Sequence, residues 1–156
     1  MAFSVDLTTN QGAALDYQGK GRLFVLRQRV DFTVVANNLA QNEVMAIALI
    51  PANTWVLASY MKVITADTLV SDVDLGVCTT AAVEVDYDGW IDGGTIAAAG
   101  WVTTTLGVLN FLVNSTGVGY LSTSNAVLSL QNKDAQTIDD AVIDFYTVCA
   151  DFSLFG

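Results

Sequence analysis

Residues 22–34 read Arg-Leu-Phe-Val-Leu-Arg-Gln-Arg-Val-Asp-Phe-Thr-Val. In an extended chain Phe24, Leu26, Val30, Phe32 and Val34 fall on one face, and Arg27, Arg29, Asp31 and Thr33 on the other. Alternate side chains of a pleated strand point to opposite sides, so this stretch reads as a long, half-buried β-strand. The same period returns near the other end of the chain. Within residues 141–152, Ile143, Phe145 and Thr147 alternate with Asp144, Tyr146 and Val148. Between these two stretches, Val73, Leu75 and Val77 oppose Asp72, Asp74 and Gly76.

The remaining sequence fits around these strands. Residues 43–50 form a nearly continuous apolar run that stops at Pro51, where Pro51-Ala52-Asn53-Thr54 supplies turn chemistry. Further strand-like runs lie at 55–66, 82–85, 101–109, 119–121 and 125–131, with polar punctuation at Asn37-Asn38 and Gln131-Asn132-Lys133-Asp134. The strongest helical pattern, 38–46, is too short to set the fold class. Eight or nine strands at short spacing in 156 residues predict an all-β, antiparallel β-sandwich, jelly-roll-like in strand count. Residues 1–21 differ from the rest, with Gly12, Gly19 and Gly21 among scattered apolar positions. They read as an N-terminal extended arm, and 22–156 as a single β-sandwich domain.

Composition narrows the function. Hydrophobic residues make up 53% and charged residues 14%, against a usual charged share of about 25%. A small globule with so little charge is expected to bury part of its surface against other chains. The net charge of -10 argues against a nucleic-acid partner, since phosphate contact wants clustered Lys and Arg. There is no histidine, which removes the commonest general base and metal ligand. No nucleophile elbow, phosphate-binding loop, dinucleotide fingerprint or Cys/His metal set occurs. No enzyme, cofactor or metal is expected. Cys78 and Cys149 each lie in an apolar run and read as buried, reduced thiols, with a bridge open if their strands are neighbours. Residues 96–113 are uncharged and long enough to span a bilayer. Gly100, Thr103, Thr104, Thr105, Gly107 and Asn110 within them, and the lack of basic flanks, favour strands instead. The opening residues carry no basic, apolar leader, so neither export nor a membrane partner is expected. On that basis the sequon Asn114-Ser115-Thr116 reads as coincidence.

Two groups of residues are candidate sites. Asp86-Tyr87-Asp88-Gly89-Trp90-Ile91-Asp92-Gly93 places three carboxylates and two aromatics around glycines. It resembles part of a calcium loop, but the EF-hand spacing fails. It reads as a Gly-tipped surface loop, with Asp86, Tyr87, Asp88, Trp90 and Asp92 as weak candidates for a cation or, together with Trp101, a sugar. The second group follows from charge placement. Lys20, Arg22, Arg27 and Arg29 fall within ten positions, whereas residues 67–156 hold twelve acids and the single base Lys133. The basic strand either pairs internally across strands or docks on an acidic neighbour, another copy of the chain included. Phe3, Val5, Leu15 and Tyr17 are spaced anchors in the arm, so the interface candidates are these four with Lys20, Arg22, Arg27 and Arg29.

Several phrases in order complete the reading. Leu49-Ile50-Pro51-Ala52-Asn53-Thr54-Trp55-Val56, then Val73-Asp74-Leu75-Gly76-Val77, then the Asp86 to Gly93 segment, resemble a pattern in small virion proteins of tailed bacteriophages. Tyr120-Leu121-Ser122-Thr123-Ser124-Asn125-Ala126-Val127-Leu128-Ser129-Leu130 is similar to a strand pair in the same group. The resemblance implies a head decoration, or cement, protein: a jelly-roll module, often trimeric, on the outer surface of the capsid, tying major capsid subunits together. The partners implied are the chain itself, as a homotrimer, and the major capsid protein, and the place of synthesis the host cytoplasm. A lectin-like or receptor-binding virion module, tail- or fibre-associated, is the alternative.

Overall fold

The computed structural model describes residues 5–6, 23–69, 72–102 and 119–151. They form two stacked sheets with no α-helix among them; the only helical turn is a 3-10 turn at Val35–Asn37. The strands are β1 (Val5–Asp6), β2 (Leu23–Asp31), β3 (Val44–Ile50), β4 (Thr54–Thr65), β5 (Val73–Thr79), β6 (Glu84–Gly94), β7 (Gly100–Val102), β8 (Tyr120–Ser122), β9 (Ala126–Asn132) and β10 (Val142–Asp151). One sheet runs β2-β10-β4-β7, with β8 pairing the opposite end of β4; the other runs β1-β3-β9-β5-β6. Every pairing is antiparallel except that of the two-residue β1, which lies parallel to β3.

The order of pairing explains the architecture. β5 pairs β6, β4 pairs β7 and β8, β3 pairs β9, and β2 pairs β10. These pairs are nested one inside the next, as in a single long hairpin. Rolling that hairpin up brings β10 against β4 and β9 against β5, which closes the two sheets. That is a jelly roll.

Side-chain period decides which face goes inward. On β2, Leu26 and Val30 are buried while Arg27 and Arg29 are exposed, and on β10 Ile143 and Phe145 join the core while Asp144 and Tyr146 face outward. The alternation of β2 carries on to Phe32, which is fully buried, but Val34 is half exposed, so the expected inward face ends two residues early. Strands β3, β5 and β9 are buried almost throughout, on both faces. Their outward positions hold small or short side chains, such as Ala46, Gly76, Cys78 and Ser129, and with both faces dry the polar half of the alternation fades in β3 and β9, while β5 keeps it at Asp74. This also accounts for the helix-like spacing at 38–46, which the structure resolves into a turn followed by β3.

Two buried polar contacts fix neighbouring strands and the turns beside them. Ser59 and Thr147 meet inside the sandwich at 2.9 Å across β4 and β10. Asn132 is fully buried and donates to the carbonyls of Leu39 (2.8 Å) and Gln136 (2.7 Å). Both cysteines are free and buried, Cys149 in the core and Cys78 on the outer side of the other sheet, so they do not bridge. Burial pushes the Cys78 thiol up to about 11 and the Cys149 thiol up to about 12, and both stay protonated at neutral pH. Among the described residues no helix is long and apolar enough to cross a membrane.

Candidate functional site

The basic strand β2 ends its sheet and pairs along its whole length with β10. The register of β2 against β10 sets Arg29 opposite Asp144 and Arg27 opposite Tyr146. Arg29 clamps Asp144 with two bonds, Nε to Oδ1 at 2.6 Å and Nη2 to Oδ2 at 2.8 Å. Arg27 Nη2 donates to Oδ2 at 3.0 Å, and the Tyr146 hydroxyl donates to the same oxygen at 3.2 Å. The Arg29 clamp, opposed by burial and helped by Arg27, holds the Asp144 carboxyl well below the usual carboxylate range. Asp144 is buried under its partners while both guanidiniums remain about half exposed. Of the two readings of this strand, internal pairing is therefore present. One carboxylate shared by two guanidiniums leaves a positive charge at the surface.

Aromatic rings carry the row across the sheet. Arg27 lies 5.5 Å over the Tyr146 ring, Tyr146 stands 5.4 Å from Trp101 at a tilt of 46°, and Lys62 lies 5.5 Å over Trp101. Beyond this row the face turns apolar. Leu23, Val25, Leu57, Tyr60, Trp101 and Leu121 are all exposed, and all belong to strands of this sheet. No strand of the other sheet contributes a large exposed hydrophobic side chain among the described residues.

Replacing Asp144 by asparagine removes the charge but keeps the shape. We expect a loss of about 1–2 kcal/mol at pH 7, because the donors it satisfies are themselves partly hydrated. The folded-state pKa is depressed, so the stabilisation is complete above the unfolded value of about 4 and fades as pH falls below it. Thermal melts of wild type and Asp144→Asn should therefore converge in acid.

The Asp86 to Gly93 segment requires a correction. It is not a surface loop but most of β6, the edge strand of the second sheet. Its register against β5 jumps, Val77 facing Asp86 and Leu75 facing Ile91, so the intervening residues bulge. The bulge turns Trp90 into the core, 2% exposed, where it cannot stack on a ligand. Tyr87 is half-buried and hydrogen-bonded with the Cys78 thiol. Asp92 is exposed and lines a cleft of about 340 Å³ with Gly94, Ala98 and Trp101. The five weak candidates thus split four ways, with Asp86 and Asp88 left together at the edge.

Asp86 is the perturbed member of that pair. Desolvation first, then a hydrogen bond and charge repulsion from Asp88, push it up to about 7, and Glu84 adds to the effect. A carboxyl raised on folding favours the fold below its unfolded pKa and loses that advantage as pH rises through the folded value. The protein is therefore expected to melt lower at pH 8 than at pH 5, by a penalty on the order of 2 kcal/mol once solvent screening of the pair is counted. Asp86→Asn should flatten the difference.

One grouping escaped the sequence reading. Carboxylate oxygens of Asp67, Asp139 and Asp140 lie within 4.8 Å of one another, brought from sequence positions 72 or more residues apart. Such a set could ligate a hard cation, yet the chain's own donors already use it. Asp67 accepts from the N–H groups of Leu69 (2.9 Å) and Asp139 (3.3 Å), and Asp140 from the N–H (3.1 Å) and hydroxyl (2.9 Å) of Thr68. Only the folded topology brings the three together.

Of the arm candidates, Val5 lies in β1, while Phe3, Leu15, Tyr17, Lys20 and Arg22 lie outside the described residues, as do the strand-like run after 102 and the sequon.

No protein-family model and no curated protein matches the sequence. Solved structures do match. A chain from the capsid of Ralstonia phage GP4 superposes with a TM-score of 0.60 at 12% identity, over 86% of this chain and 87% of that one. A chain of the cyanophage Pam1 capsid asymmetric unit gives 0.55 at 15% identity, over 89% and 91%. The fold is shared with phage capsid proteins. A chain from the acid-stable capsid of Helicobacter pylori bacteriophage KHP30 gives 0.50 at 14% identity, over 86% and 92%. At these identities the likeness is one of fold.

Proposed function

We propose that the protein is a non-enzymatic structural virion protein: a capsid decoration, or cement, protein on the outer surface of a phage head. In this reading it works as a homotrimer that bridges major capsid subunits. The observation that carries it is the likeness to capsid chains, which spans most of this chain and most of each of those. The exposed apolar and basic sheet face supports it, because a lone protomer gains nothing from leaving Leu23, Val25 and Leu121 in water. The cysteines are buried and protonated, and the sequence has no histidine, so the usual nucleophile–base pairs have no members here. The receptor-binding alternative loses its main ring with the burial of Trp90, and a glycan array is expected to stay blank.

In this reading the arm contacts the shell. Phe3, Val5, Leu15 and Tyr17 supply apolar anchors, and Lys20 and Arg22 fix them to acidic surface. Ordering such a segment costs about 1–2 kcal/mol per residue in backbone entropy, so several anchors must be buried together. Deleting residues 2–19 is expected to leave the sandwich folded, its melt within about 1 kcal/mol of wild type, since among the described residues the second sheet loses the two-residue β1 alone. Occupancy on particles should fall, and high salt should lower wild-type occupancy through screening of the basic residues. A collapsed melt would place the arm in the core. Unchanged occupancy would remove it from the docking role.

A further inference from the structure

Any ring with an odd number of identical subunits must join two different patches, one from each neighbour. The structure holds two patches of opposite character. The first is the outer face of the β2-β10-β4 layer, with exposed Leu23 and Val25 beside Arg27 and Arg29, whose two charges share only Asp144. The second is the β6 edge, where Glu84, Asp86 and Asp88 gather and none forms an ion pair among the described residues. β6 ends its sheet, so its outer side faces no strand among the described residues.

The placement of the patches matters as much as their charge. β2 packs over β3 and β4 over β6, so the β2 face and the β6 edge lie at opposite ends of the sandwich and do not meet within one protomer. Each patch is thus left to meet its complement on a neighbour, and such head-to-tail contacts form a ring where the rotation between copies closes and a filament where it does not. We propose that copies of this protein close into a ring by seating the Leu23–Val25–Arg27–Arg29 face of one protomer on the Glu84–Asp86–Asp88 edge of the next. The proposal rests on the trimer reading above and assigns its surfaces, leaving the arm for the shell. The occupant is a second copy because the chain itself carries the complement: two guanidiniums sharing one carboxylate on one side, and on the other Glu84 with the Asp86–Asp88 pair, which have no cationic partner among the described residues.

The test uses sedimentation velocity of the full-length chain in low salt. Leu23→Glu with Val25→Glu spoils the face without touching the Asp144 clamp, and Glu84→Lys with Asp88→Lys spoils the edge. Far-UV circular dichroism and a melt confirm that each variant is folded. A second face variant, Val25→Lys alone, serves if the double change unfolds the protein. Each variant alone is expected to be monomeric up to concentrations at least about tenfold above those at which wild type is trimeric. Mixed in equal amounts they should form a 1:1 dimer and stop there, because one sound face meets one sound edge and the ring cannot close. A wild-type trimer that the edge variant leaves intact overturns this assignment alone. A wild-type monomer overturns the trimer reading as well.

Discussion

Gly76→Ala is expected to be the most damaging single-methyl change among the described glycines. Gly76 lies on the outer side of β5, and a Cβ there would overlap the carbonyl oxygen of Asp86 and the carbonyl group of Tyr87. Both are backbone groups of the β6 bulge, which crosses β5 at this point and has no side-chain rotamer with which to yield. Overpacking against movable side chains costs about 1–3 kcal/mol; against fixed backbone at least about 3 kcal/mol is expected. In a chain of this size that lowers the melting temperature by about 6–12 °C or prevents folding. An unchanged melt would mean that β6 does not lie over β5 there, and the Asp86–Asp88 pair would have to sit elsewhere.

The second large effect is at Trp90. Trp90→Ala removes one of the largest fully buried side chains, and the cavity it leaves costs about 3–5 kcal/mol. Trp101→Ala is the matched control. That ring is more than half exposed, and its contacts with Tyr146 and Lys62 are worth about 1 kcal/mol. A ligand-binding aromatic would show the reverse pattern, with Trp90 tolerant in the melt and binding lost.

These two residues also show where the sequence stopped being readable. Strands with one wet face announced themselves: Ile143 and Phe145 against Asp144 and Tyr146 on β10, and Leu26 and Val30 against Arg27 and Arg29 on β2. In the second sheet β5 did so as well, with Val73, Leu75 and Val77 against Asp72, Asp74 and Gly76, but β3 and β9 are dry on both sides, lose the polar half of the pattern and read only as apolar runs. β6 misled for a different reason. Its bulge shifts the register partway along, so the alternation before it and the alternation after it belong to different faces, and Gly89 and Gly93 look like loop residues. The charge asymmetry between the chain's two halves was visible in one dimension. That Arg27 and Arg29 share a single carboxylate 115 or more positions away was not, since nothing local in a strand names its partner.

The nesting of the strands also sets a timetable. The innermost pair, β5 and β6, is joined by a short turn closed by Thr79 and Val83, while Arg27 and Asp144 on the outermost pair are separated by 117 residues. Closing that outer loop loses chain entropy before any contact rewards it, so β2 and β10 should zip last. Refolding should accordingly run on the millisecond-to-second scale of all-β topologies. Until the last pair closes, β10 has lost one of its two neighbours and offers an open edge to any other chain. Refolding yield should therefore fall as protein concentration rises, with the losses taken in the final step.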